Sequence, residues 1–127
     1  MENSRKYIGQ TGEKIAAYYL QKQGFTIMGR NIARKTGELD VVAKKKGVLH
    51  IVEVKTHSCE EFPSPEVLDS YDPADNLHAY KIQKVARTAE WYVANINWEG
   101  DWQVDGVLVW LRRRDMVAKV RYLPQIL

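Results

Sequence analysis

Two carboxylates and an amine stand where a β-hairpin would bring them together. Asp40 precedes Val41-Val42, and Glu53 and Lys55 bracket Val54. Residues 39–43 and 48–54 are apolar and β-branched, and Lys44-Lys45-Lys46-Gly47 supplies a polar, glycine-closed turn between them. Successive strand side chains alternate faces, so Glu53 and Lys55 share a face with Leu49 and Ile51. Pairing across the turn carries Asp40 toward Glu53. Charges on apolar strands are costly unless they are paired or bound to a cation. Hard divalent cations such as Mg²⁺ favour one or two carboxylates and water.

The flanking segments must position this hairpin. Ile8, Ile15, Ala16, Tyr19 and Leu20 recur at helical spacing and predict a helix over 8–23, with Gly24 as its stop. Glu13 lies near the edge of that stripe and by itself reads as solvent-facing. Phe25-Thr26-Ile27-Met28 reads as a first strand, and residues 30–37 as a basic loop. Arg30, Arg34 and Lys35 there either contact phosphates or face water. Glu38, two residues before Asp40, points to the same side, either as a further metal or water ligand or as the partner of a loop arginine. A second helix is expected over 77–95, capped by Asp75 or Asn76. Leu77, Ile82, Val85, Ala89, Tyr92 and Val93 form its apolar stripe, with Lys81, Lys84 and Arg87 beside it. Residues 102–110 and 116–122 read as strands, the second an edge strand guarded by Lys119 and Arg121. Asp105 is unusual on its apolar strand and reads as the partner of a base or as support for the site. Trp91, Trp98, Trp102 and Trp110 read as packing residues. The order α-β-β-β-α-β-β is that of an α/β domain with a central mixed β-sheet flanked by α-helices.

Composition sets limits on this reading. A chain of 127 residues is expected to form one domain, 1–127, with one core. Its 45% hydrophobic and 28% charged residues exclude a disordered chain. No apolar run approaches the roughly 20 residues that cross a bilayer. The first six residues lead into an amphipathic segment rather than a secretory core. The single Cys59 excludes an intramolecular disulfide and a Cys-rich zinc site. A cytoplasmic location is the expectation.

Charge is unevenly spread. Residues 1–56 hold 11 Lys/Arg and 5 Asp/Glu, a balance of +6; residues 57–80 hold 6 acids and no Lys or Arg, a balance of −6; residues 81–127 hold 8 basic and 5 acidic residues, a balance of +3. A basic body suits a phosphate backbone, and equally a solvated surface. Residues 57–76, with Pro63, Pro65 and Pro73, are expected to form an acidic loop or flap. It reads either as a cover on a basic site that DNA must displace or as a solvated loop.

Asp40 with Glu53-Val54-Lys55 resembles the core of the PD-(D/E)xK nucleases. The wider set Gly12-Glu13, Gly24-Phe25, Arg30-Asn31, Gly37-Glu38-Leu39-Asp40 and Val52-Glu53-Val54-Lys55-Thr56 resembles the YraN-type bacterial family, which is similar to Holliday-junction resolvases. The resemblance implies the restriction-endonuclease-like fold and a Mg²⁺-dependent endonuclease (Mn²⁺ as substitute) acting on DNA, including branched or flapped DNA. It implies Asp40, Glu53 and the Val54 carbonyl as metal ligands and Lys55 as the group that orients the attacking water. It brings Glu13 to the metal site and makes Lys81 the leading phosphate contact, ahead of Lys84. His57 stands where the family usually has arginine, which leaves its support of the site open. Similar resolvases act as homodimers. The alternatives are a non-catalytic nucleic-acid-binding module of the same fold and a protein-interaction domain.

Overall fold

The computed structural model describes residues 4–69 and 79–127. Helix α1 (Arg5–Lys22) is followed by strands β1 (Thr26–Arg34), β2 (Gly37–Lys45) and β3 (Val48–Cys59). A short helix α2 (Pro65–Asp69), a long helix α3 (Ala79–Asn95) and strands β4 (Trp102–Arg112) and β5 (Val117–Leu123) complete the order. The strands form one sheet in sequence order, antiparallel throughout except for the β3–β4 pair. A parallel pair needs a long crossover, and α3 lies in that connection. The result is a mixed sheet with helices on both faces, the restriction-endonuclease-like arrangement.

Each helix is placed by its apolar stripe. In α1, the Tyr7 N–H donates to the Ser4 side chain at 3.2 Å and caps the N-terminus. Gly24, at φ +95°, turns the chain away after the last turn. Ala16 and Leu20, with Ile15 and Tyr19, pack on Val41, Val52, Val54, Val107 and Val109. On the other face Val85, Ala89 and Tyr92 of α3 pack on Leu39, Val42, Leu49, Ile51 and Val104. Trp110 is buried, and Trp91, Trp98 and Trp102 pack against the α3-side cluster. No helix among the described residues is long and apolar enough to cross a membrane.

Two expectations are corrected. The chain from Arg30 to Arg34 is strand, not loop, and pairs with residues 37–41 of β2. A register shift between Ile27 and Gly29, and Asn31 in the left-handed region at φ +52°, break its alternation and hide it from a period-two search. Within the expected loop 57–76, residues 57–59 are strand, paired with Trp110, Leu111 and Arg112, and Pro65–Asp69 is helix α2. Beyond them, Phe62 and Leu68 pack on Leu108, Trp110 and Leu123 as a third apolar cluster. Glu60 and Glu61 pair with Arg113 and Arg114. The acidic segment thus begins by docking on the β4–β5 end of the sheet. The expected cap at Asp75 or Asn76, the stripe residue Leu77, and Asp72 lie outside the described residues.

One glycine sets the approach of α1 to the sheet. A Cβ on Gly12 would fall inside the Thr56 hydroxyl and lie 2.8 Å from Thr56 Cβ and Cγ2. Overpacking of this kind costs about 1–3 kcal/mol. Gly12→Ala should therefore lower stability by about that amount in urea unfolding, despite alanine's better helix propensity. Adding Thr56→Ala should recover part of the loss, because the hydroxyl and methyl leave while Cβ stays. Full stability in Gly12→Ala alone would show that the contact does not set the approach.

Candidate functional site

The site forms where β2 separates from β3. Their ladder runs from Lys45–Val48 to Val41–Val52 and stops there. Leu39 and Val42 pack on the α3 side, whereas Val41 and Ala43 pack on the α1 side, so the two-residue alternation of β2 slips at Asp40. The Val54 N–H, left without a β2 carbonyl, donates instead to Asp40 Oδ2 at 2.9 Å. The Asp40 N–H reaches Glu53 Oε2 at 3.4 Å. Glu53 Oε1 is buried without a hydrogen-bond partner among the described residues, and Lys81 Nζ lies 3.9 Å from it. Asp40 is 9% exposed and Glu53 1%. Buried carboxylates normally gather several donors; this pair has few.

Two more acids join them. Glu13 from α1, Glu38 and Asp40 each place a carboxylate oxygen within 4.8 Å of the others. Asn31 bridges the outer two: with its amide oriented by this network, its nitrogen donates to Glu13 Oε1 at 2.8 Å and Glu38 Oε1 at 3.0 Å. No ion pair of Glu38 with an arginine occurs among the described residues. Burial and crowding together raise these carboxyls. Burial, then the Asp40 charge, pushes Glu53 up to about 8 against the pull of Lys81. Burial also raises Asp40, opposed first by the Val54 N–H. Glu13 is raised by burial and by Asp40 and Glu38, and held back by Arg30 and Asn31.

A cleft of about 620 Å³ opens beside the acids, lined by Arg5, Gly9, Glu13, Val54 to Ser58 and Lys81. Lys55 is exposed in its wall. Lys81 also borders a smaller pocket with Glu38, Asp40, Glu53 and Lys84. The Val54 N–H, not its carbonyl, is the group that engages Asp40.

The other expected residues are placed as follows. Arg30 lies beside Glu13, and its buried Nε has no hydrogen-bond partner among the described residues. The Arg34 guanidinium lies 4.1 Å from the centre of the Trp91 ring, and Lys35 is exposed in the β1–β2 turn. His57 stacks on Trp110, with ring centres 6.1 Å apart. Asp105 is buried in a separate knot: it bonds His50 Nδ1 at 2.5 Å and accepts from Tyr122 Oη at 2.6 Å, Gln103 Nε2 at 2.7 Å and the Gln125 N–H at 2.8 Å. That knot ties the C-terminal segment to β4.

Arg5 and Asn31 were missed as site residues. Arg5, Gly9 and Glu13 recur every four residues, which puts them on one face of α1; that spacing is legible in the sequence. Asn31 has a weaker signal, since asparagine is among the few side chains that tolerate positive φ.

A family model described as uncharacterised protein family UPF0102 matches residues 12–118. A UPF0102 protein from Syntrophotalea carbinolica is 36% identical over a match covering 98% of this chain and 94% of the relative. One from Nitratiruptor sp. is 33% identical, covering 89% of this chain and 91% of the relative. One from Campylobacter fetus is 32% identical, covering 90% and 93%.

The raised Glu53 carboxyl makes a stability prediction. In the folded chain it holds its proton to about pH 8, whereas an unfolded chain releases it near 4.5. Between these values the folded state binds more protons, so stability falls as pH rises. Each pKa unit is worth about 1.36 kcal/mol, giving a penalty of a few kcal/mol by pH 8. In a chelator, Glu53→Gln should match the native chain near pH 4.5 and become progressively more stable than it toward pH 8. Parallel pH profiles in thermal melts would contradict the assignment.

Proposed function

The chain belongs to the UPF0102 family, and from its site we propose that it is a Mg²⁺-dependent endonuclease that hydrolyses DNA phosphodiester bonds in branched or flapped substrates. The observation that carries this reading is Glu53. It is a carboxylate 1% exposed, with one oxygen lacking any donor among the described residues. A second buried acid, Asp40, lies beside it, and the adjoining cleft carries Arg5, Lys55 and Lys81. Buried acids with so little neutralisation call for a cation, and an oxygen-only donor set suits Mg²⁺ or Mn²⁺.

Asp40 and Glu53 would hold the ion, with Glu13, Glu38 and the Val54 carbonyl as further oxygen donors. A bound Mg²⁺ supplies Lewis-acid stabilisation of the charged transition state and a lower pKa for its water. The chain's own groups do the rest. Lys55 orients the attacking water and stabilises negative charge developing on the phosphate oxygens. Arg5 and Lys81 bind the phosphate, and Lys84 borders the same acids. None of these contacts reads base identity, so recognition is of backbone and shape. The described residues contain one such acid cluster, so paired cuts in a four-way junction require two chains acting together.

Purified chain should cleave flapped or four-way DNA when Mg²⁺ or Mn²⁺ is added. Asp40→Asn and Glu53→Gln should each lower the rate on the order of 10²-fold or more while DNA binding is retained. Cleavage that survives both substitutions unchanged would mark a contaminating nuclease. Binding with no cleavage of any single-stranded, flapped or four-way substrate would identify a non-catalytic binding module instead.

A further inference from the structure

The rim of the cleft continues into an arginine turn. Ser58 lines the cleft, and Arg113 Nη1 donates to the Ser58 hydroxyl at 3.3 Å. Arg112 ends β4, and the turn after it carries Arg113 and Arg114. Arg112 is engaged by Asp115 through two hydrogen bonds, at 3.0 and 2.9 Å. Arg113 and Arg114 remain 44% and 59% exposed and face Glu60 at 3.3 Å and Glu61 at 2.5 Å. Both glutamates are themselves 87% and 71% exposed. They are delivered there by the backbone: Cys59 pairs with Arg112 in the β3–β4 ladder, and the Cys59 carbonyl accepts the Arg113 N–H at 2.9 Å. Register thus sets two acids against two arginines just beyond Ser58 of the cleft wall. Ion pairs this exposed contribute little, so a competing anion can replace the glutamates.

We infer that the Arg113–Arg114 turn is a second docking surface for the DNA phosphate backbone, reached from the cleft past Ser58, and that Glu60 and Glu61 cover it in the free chain. Arginine's planar fork matches phosphate oxygens as well as it matches carboxylates, so the same geometry serves both. Nearby cations are otherwise engaged: Lys119 lies 4.9 Å from the centre of the Phe62 ring, and Arg121 donates to the Leu68 carbonyl. The inference rests on the reading of the cleft as a DNA phosphodiester site. It differs from that reading in what it demands of residues outside the acid cluster.

The test is anisotropy of a labelled flapped oligonucleotide with the full chain, in chelator to prevent cleavage, across a salt series. Glu60→Gln/Glu61→Gln should bind several-fold more tightly at about 50 mM salt, with the gain fading as screening shortens toward about 8 Å near 0.15 M. Arg113→Gln/Arg114→Gln should bind more weakly, with a salt slope shallower by about 1.8 for two lost phosphate contacts. With all four substituted, the glutamate gain should vanish. A gain that persists without the arginines would make it a diffuse charge effect and overturn the inference. So would an unchanged affinity and slope in the arginine variant while Lys55→Gln/Lys81→Gln weakens binding. Failure of the native chain to bind DNA at all would overturn the cleft reading first, and this inference with it.

Discussion

The β2–β3 ladder stops at Val41–Val52, and two buried carboxylates occupy the place where it would continue. Asp40 takes over the Val54 N–H that an unbroken ladder would have satisfied with a carbonyl. Glu53 is left with a backbone N–H at 3.4 Å and a lysine at 3.9 Å. A carboxylate that deep normally requires more. The apolar packing of the two helices must offset this cost, which places the site at the centre of the fold's energetics. Charge repulsion with Asp40 adds to burial in keeping Glu53 protonated, so the proposed cation would bind here with release of that proton.

The rest of the architecture brings charge to that gap from both faces. On one side Gly12 lets α1 come close enough to Thr56 for Glu13 to reach Asp40, and the same helix face presents Arg5. On the other, α3 brings Lys81 over Glu53. From the edge, Asn31 holds Glu13 and Glu38 with one amide. The parallel β3–β4 pair fixes where β3 ends, and hence where Ser58, Glu60 and the arginine turn meet. Placement of acids and bases around one cleft follows from strand register and helix approach, with exposed ion pairs contributing little.

Much of this was legible in the residues. Two β-rich runs around a lysine-rich turn gave the central hairpin and the approach of Asp40 to Glu53. Apolar residues at helical spacing gave α1 and α3, because their stripes face a single sheet. What escaped depended on contacts distant in sequence or on local irregularity. Most of β1 was hidden because its bulge and left-handed Asn31 destroy period two, and cross-strand hydrogen bonds hold it in place. The acidic segment could not be placed because its partners are residues 113 and 114, which strand pairing alone brings near. Glu13 read as solvent-facing from helical spacing alone, and only the family resemblance brought it to the site, because its environment is set by the close approach at Gly12. Asp105 was recognised as anomalous, but its partners His50, Gln103, Tyr122 and Gln125 come from three parts of the chain.

The central claim is that the buried acids are organised around a divalent cation. It is tested most directly by anomalous diffraction from crystals equilibrated with Mn²⁺ at a pH above 8, where Glu53 is ionised. The account predicts a strong peak within about 2–2.5 Å of carboxylate oxygens of both Asp40 and Glu53. Lys81 should be displaced from Glu53 in those crystals. An empty site at millimolar Mn²⁺, with Lys81 still beside Glu53, would contradict it.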